Sequence, residues 1–367
     1  MWHKLKNHFL KFDWIIFSAV LLLSLFGLIE IYSIALGQET LSLLNFKKQI
    51  ISISIALVLL FITSFIDYNF LKSFNKLIYG FGILLLILVL IFGKEARGTT
   101  GWFEIGGFSL QPVEFVKIIL IIFLASFFSD SSVRMRPLKF LILSFLGTFA
   151  FVFLTLLQPD FGPSIIMLAL WFITLILVGF ERRYFLMIII PVVALSFFAW
   201  NFYFKDYQKN RILTLLNPGQ SSVNAEGYNV YQALIAVGSG GLSGRGLGFG
   251  SQSQLKFLPE AQNDFIFSVI SEELGFLGAG LVLFLYFVLF WRLIVVIRKI
   301  NDDFAIFIIL GAMVLIFIQM FINIGMNIGI VPVVGISLPF ISYGGSAILA
   351  NFILIGIIQN IIIKAKS

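Results

Sequence analysis

The chain has 367 residues, 60% of them hydrophobic and only 12% charged, with 44 Phe; a soluble domain carries about twice that charged fraction. Cysteine is absent and the only histidines, His3 and His8, lie at the start, which excludes disulfides, thiol chemistry and a His/Cys metal cage at the far face. The net charge of +7 belongs with a membrane surface rather than with nucleic acid.

Apolar runs of about 20 residues, enough to cross a hydrocarbon core of about 30 Å, predict an all-α polytopic membrane protein with ten transmembrane helices. They fall near 14–35, 49–66, 76–92, 113–129, 138–157, 164–179, 184–203, 265–291, 304–330 and 340–362. The first has a basic flank, but its apolar stretch is too long for a signal peptide. Fifteen Lys and Arg fall on the termini and the short segments of one side and nine on the other, five of those in one long segment. The positive-inside bias therefore puts both termini in the cytoplasm. The chain reads as one membrane domain, 1–367, with a large extracytoplasmic loop, 204–263, between spans seven and eight.

The fourth span opens with Gln111, Glu114 and Lys117 at steps of three, one helical face, with Glu114 and Lys117 close enough to pair. Asp160, in "QPDFGPS", sits just before the sixth span. The long loop holds "YNVYQALIAV", a candidate interfacial helix like 205–216, and then "GSGGLSGRGLGFG" (238–250), with seven glycines. That run is either a flexible crossing loop or a bend whose N–H groups approach an anion. No phosphate-loop pattern accompanies it.

In the eighth span Asp264, Ser268, Ser271, Glu272 and Gly275 share a face, with Glu272 about 12 Å along the helix from Asp264. The ninth repeats the pattern with Gln319, Asn323 and Asn327. Polar faces inside a membrane look into the bundle or a wet cavity. Spans four, eight and nine are thus expected to bound a polar cleft open to the outside. Bland readings stand beside this one. Asn263 or Asp264 can simply cap the helix start, Glu114–Lys117 can be a structural pair, and Glu272 and Glu273 are expected to hold the bundle together. Glu30 in the first span is given no role. Two function classes fit: a transporter or flippase, or an enzyme acting on a lipid-linked substrate at the outer leaflet. The large one-sided loop with Arg211, Arg245 and Lys256 leans toward the enzyme, and no broken helices or inverted repeats of a transporter are evident.

Four blocks carry a resemblance: "GWFEIGGFSLQPVEFVK" (101–117), "QPDFGPS" (158–164), the run from "GYNVYQALIAV" to "SEELGFLG" (227–278), and "NIGMNIGIVPVVGISLPFISYGGSA" (323–347). In order and spacing they resemble the SEDS family of bacterial cell-wall proteins, RodA and FtsW, across nearly the whole chain. "GSQSQLKFLPE" and "GIVPVVG" look more like the elongation member than the division-specific paralogue. The resemblance implies a peptidoglycan glycosyltransferase that polymerises lipid II at the outer face of the cytoplasmic membrane during elongation, the alternative being a lipid II flippase. It implies a class B penicillin-binding transpeptidase as partner, with other elongation-complex membrane proteins.

It also maps the family's essential aspartate onto Asp264, as general base, and its Glu and Lys onto Glu114 and Lys117. Gln111, Asp160 and Glu260 join them as candidate sugar or diphosphate contacts. The leaving undecaprenyl diphosphate needs positive charge, for which Arg97, Arg211, Arg245, Lys256 and Lys117 are the candidates. A divalent cation, Mg or Mn, would supplement them; no metal ligands are assigned. The chain departs from the family pattern at Gly101, Val113, Gln262–Asn263 and Val334.

Overall fold

The computed structural model describes residues 2–37, 42–96, 98–106, 108–131, 135–180, 183–185, 187, 209 and 225–366. In chain order the helices are α1 (Trp2–Lys11), α2 (Trp14–Leu36), α3 (Leu44–Phe65), α4 (Tyr68–Ser73), α5 (Asn75–Phe92), α6 (Pro112–Ser131), α7 (Pro137–Leu157) and α8 (Phe161–Leu177). They continue with α9 (Ala225–Ser239), α10 (Ser251–Gln254), α11 (Ile266–Ile297), α12 (Asp303–Asn327) and α13 (Gly345–Ala365). Among the described residues eight helices are long and apolar enough to span a membrane, α2, α3, α5, α6, α7, α11, α12 and α13, and α8 is a shorter apolar helix of 17 residues. These nine match all the expected spans but the seventh. The seventh, 184–203, lies outside the described residues apart from 184, 185 and 187, as do 205–216 apart from 209. In hydrocarbon a helix satisfies its own backbone, so apolar continuity alone fixes these elements.

Both ends of the chain meet at one end of the bundle. Asp13, the N-cap of α2, accepts from the Ile16 N–H at 3.3 Å and from Arg292 Nε at 2.8 Å. Its backbone exchanges two 2.9 Å hydrogen bonds with the Gln359 amide of α13. We call this end the terminal face and the opposite end the loop face.

The loop face holds three features that periodicity did not predict. Between α5 and α6 the chain forms a small antiparallel sheet, β1 (Lys94–Ala96), β2 (Thr99–Ile105) and β3 (Phe108–Leu110), in the order β1-β2-β3. It delivers Gln111 directly to the start of α6.

The second feature is a break in α11 at Gly275 (φ 63, ψ −160), a conformation that only glycine adopts readily. The glycine-rich run fills it. Phe276 and Leu277 N–H donate to the Gly241 and Leu242 carbonyls, and Arg245 and Gly246 N–H donate to those of Glu272 and Glu273, all at 2.8–3.1 Å. The run is therefore a plug bonded into a helix, and the expectation of a flexible crossing loop is replaced. The expectation of no broken helix is likewise overturned: backbone pairing across a break is tertiary, and no apolar period records it.

The third feature is the segment between α12 and α13, residues 328–344. Its Ile341 carbonyl lies against Gly27, well inside α2, where a side chain would collide with it. Ile336, Leu338, Phe340, Ile341 and Ser342 are buried. A non-helical stretch at such depth persists only when protein groups satisfy it. Here the Ile336 carbonyl accepts from Asn323 Nδ2 at 2.7 Å, and the Pro339 carbonyl accepts from the Tyr286 hydroxyl. Gln49 serves the Ser342 carbonyl and the Gly344 N–H. Helix α13 consequently starts at Gly345, later than the expected 340.

Candidate active site

Asp264 lies in the turn that enters α11. The Glu260 carbonyl, at a positive-φ position (φ 54), takes the N–H groups of Asn263, Asp264 and Phe265 at 3.0–3.4 Å. Three successive carbonyls of the same turn are held by two other elements, the 328–344 segment and α12. Tyr343 N–H donates to the Gln262 carbonyl at 2.8 Å, Ser342 Oγ to that of Asn263 at 2.6 Å, and Asn323 and Asn327 both donate to that of Asp264 at 2.9 Å. Asn327 also accepts from the Ser268 N–H and hydroxyl. The helix begins at Ile266, with Phe265 rather than Asn263 or Asp264 at the N-cap position. The Asp264 side chain is half-buried, and its Oδ2 lies 3.6 Å from where a Cβ on Gly335 would stand.

The departures at 262 and 263 are built in. Gln262 Oε1 accepts from Asn45 Nδ2 at 2.8 Å, and Asn263 donates to the Glu260 carboxylate. Glu260 therefore shapes the aspartate turn through its backbone and through Asn263.

A second polar group forms where α6, α8 and α13 begin. Lys117 Nζ donates to Glu114 Oε1 at 2.8 Å, with both side chains buried. Gln111 Nε2 donates to Asp160 Oδ2 at 2.9 Å, and the Gln111 N–H donates to Ser346 Oγ at 2.8 Å. Burial, then the neighbouring Glu114, raise the Asp160 carboxyl to about 6, against the opposing pull of Lys117 and the Gln111 amide. Gly101 lies over this group, its missing Cβ 3.2 Å from Gln158 Oε1 and 3.9 Å from Asp160 Oδ2.

The 328–344 segment joins the two groups. The Val334 carbonyl lies 3.0 Å from where a Cβ on Gly162 would stand, beside Asp160, while the next residue, Gly335, faces Asp264. Consecutive Cα atoms are about 3.8 Å apart, so one short piece of backbone separates the aspartate from the Gln111–Glu114–Lys117–Asp160 cluster. The bounding elements thus include α8, α13 and this segment as well as the expected spans four, eight and nine. Gln319, a turn below Asn323, is buried.

Glu272 and Glu273 lie elsewhere. Glu272 accepts from Ser251 Oγ and from the Gln252 and Ser253 N–H groups at 2.9–3.2 Å. Glu273 accepts from the Ser33 hydroxyl, Gly248 N–H (3.0 Å), Ser253 Oγ (3.1 Å) and Gln254 Nε2 (3.0 Å). The anion approached by the glycine-rich backbone is Glu273. Ser33 is one turn from the loop-face end of α2 and Asn327 ends α12 at that face. The first part of α11 therefore runs between two loop-face anchors, and the expectation that the glutamates lie deeper than Asp264 is corrected. Glu30, one turn below Ser33, is fully buried.

Of the other cations, Arg245 is exposed and donates to Ser251 Oγ at 2.8 Å, on the glutamate side rather than beside Asp264. Lys256 is exposed at a positive φ of 58. Arg97 and Arg211 lie outside the described residues. Among the described residues no three Asp, Glu or His side chains converge as a metal site would require.

Sequence reasoning missed Ser342, Tyr343, Ser346 and Gly335, and noted Val334 only as a departure from the family pattern. All lie in or beside the 328–344 block, whose dense Gly and Pro content was the signal available.

Residues 13–367 match the FtsW/RodA/SpoVE family model, described as cell cycle protein. The chain is 35% identical to stage V sporulation protein E of Bacillus subtilis over 95% of this chain and 96% of that one. It is also 35% identical to peptidoglycan glycosyltransferase MrdB of Escherichia coli K12, over 86% and 85%. Among solved structures it is similar to a chain of a peptidoglycan synthase complex, in work on the coordination of polymerization and crosslinking (TM-score 0.81, 27% identity, 96% and 98% covered). The rod shape determining protein RodA of Thermus thermophilus also matches (TM-score 0.71, 26% identity, 96% of each chain).

Proposed function

This chain belongs to the FtsW/RodA/SpoVE family of cell cycle proteins, and from that premise we propose that it is a peptidoglycan glycosyltransferase polymerising lipid II. The observation that carries the reading is the Asp264 turn, fixed through three successive carbonyls, with Gly335 beside its carboxylate and the adjoining Val334 beside Gly162, two residues from Asp160.

In this reading the acceptor hydroxyl of one GlcNAc attacks the anomeric carbon of a MurNAc that carries undecaprenyl diphosphate. A sugar hydroxyl is a weak nucleophile, and Asp264 takes its proton as the new bond forms. The bond to diphosphate breaks in the same step. The departing group is already a stable anion and needs charge stabilisation rather than a proton. Lys117, held by Glu114, is the described cation nearest that task. Displacement in one step inverts the sugar carbon. A rigidly held turn suits this role, because proton transfer tolerates only small errors in geometry.

The chain acts with its loop face outward on the bacterial cytoplasmic membrane and both termini inside, as the Lys and Arg distribution supports. Its partner is a class B penicillin-binding transpeptidase, supported by the likeness to a synthase complex that couples polymerization to crosslinking. The elongation role is supported by the match to MrdB and RodA.

The break in α11 gives the flippase reading one supporting observation, since transporters use discontinuous helices. That break lies at the loop face and is filled by the glycine-rich run, whereas a transport site lies near the midplane. Purified protein given lipid II in detergent, where no leaflets exist, separates the two. Glycan polymer is the expected product, and its absence with the partner present overturns the catalytic reading.

A further inference from the structure

Within the 328–344 segment the backbone is treated unevenly. From Ile336 to Gly344 most polar groups find protein partners, but among the described residues nothing hydrogen-bonds the N–H and carbonyl groups of Val333, Val334 and Gly335. Unpaired backbone at the end of a membrane bundle must meet water or a ligand.

Its directions are set. The Val333 side chain packs against the cluster of Leu258, Ala261, Phe265 and Val269, while Val334 packs against the main core. Side chains in two different clusters place Val333 and Val334 on an extended stretch, which Gly335 ends by turning at a φ of 73. The Val334 carbonyl is turned toward Gly162. A trans peptide holds its C=O and N–H on opposite edges, so the Gly335 N–H points away from α8. The Val333 carbonyl, alternating with that of Val334, shares this edge. Gly335 is itself exposed.

A carbonyl and an N–H flanking one residue are the pair to which a single residue of an extended peptide donates and from which it accepts. One amide cannot serve both, because its own N–H and C=O point apart. We infer that the edge Val333–Gly335 binds the peptide carried by the substrate, pairing with its backbone as an added strand beside Asp264. The inference deepens the reading above and rests on it: a peptidoglycan precursor bears a peptide on the sugar whose anomeric carbon reacts. With Gly335 against Asp264 Oδ2, that peptide lies next to the reacting bond. Recognition through main-chain atoms reads the presence of the peptide backbone rather than its side chains.

The test uses intact protein in detergent with its partner, native lipid II and three altered forms of it. Against native lipid II, an analogue with the peptide removed should raise KM on the order of tenfold with kcat little changed, as loss of uniform binding requires. Methylating the peptide nitrogens one at a time should reproduce most of that rise at one position and little at its neighbours. Equal KM values for native and peptide-free substrate overturn the inference. So does a rise seen only when the GlcNAc acetamido group is replaced by hydroxyl, which would place recognition on the sugar. Failure to polymerise native lipid II instead overturns the catalytic reading and this inference with it.

Discussion

Asp264 and the pair Glu272–Glu273 stand eight residues apart in sequence, yet they sit in different surroundings. Around Asp264 the asparagines of α12 bind the backbone carbonyl, fixing the residue while its half-buried carboxylate faces Gly335. Around the glutamates the donors bind the carboxylates, which are fully buried and joined to the glycine-rich plug. A carboxylate surrounded by four donors is a structural tie. A residue whose backbone is fixed by its neighbours holds its side chain in a defined place. The contrast teaches that an acid in a membrane bundle is read by where its donors come from and at which atom they arrive.

The sharpest way to break this comparison is Asp264→Asn. Glycan synthesis from purified lipid II should fall about 10²- to 10⁴-fold, the usual worth of a positioned base, with thermal unfolding in detergent unchanged. A stability loss without loss of activity would reverse the assignment.

Glu273→Ala is the mirror experiment. It strands the Ser33, Gly248, Ser253 and Gln254 donors, and should cost about 3 kcal/mol, read as a lowered Tm. An unchanged Tm would remove the structural role.

Glu114→Ala and Lys117→Ala each leave one buried charge without its partner. Both should lower activity roughly 10- to 100-fold, and the double variant should lose less than the product of the two. Strict additivity would show that the pair does not act as a unit.

Asp160 offers the smallest effect. Its carboxyl is held at about 6 against an ordinary 3.8, mainly by burial. The folded state therefore binds this proton more tightly than the unfolded state does, and stability rises as pH falls from about 6 toward about 4. The Tm difference between the parent and Asp160→Asn should drift across that window and be flat above it. A difference that does not change with pH would contradict the burial of this group.

Part of the site was legible because it is local. Gln111, Glu114 and Lys117 occur at steps of three, and Asn323 and Asn327 at a step of four, so helix geometry alone places each set on one face. The short strands of 94–110 were not legible, since they are too brief for a period to register. Nor was the partner of each polar face. Ser346 meets Gln111 across 235 residues and Ser342 meets Asn263 across 79, and nothing in either neighbourhood announces the other. The charge of Lys256 and Arg245 and their position along the loop say little about where an exposed side chain lies.

Length and hydropathy by themselves determined the membrane class and nearly every span, because the cost of exposing backbone to hydrocarbon acts residue by residue along one helix. They also determined which polar residues share a face. The tertiary structure alone decided that a glycine-rich run would plug a broken helix and that residues 328–344 would descend into the bundle. It also decided which acids would have their carboxylates consumed by donors. Those outcomes depend on pairing backbone groups far apart in the chain, and such pairing leaves no period behind in the sequence.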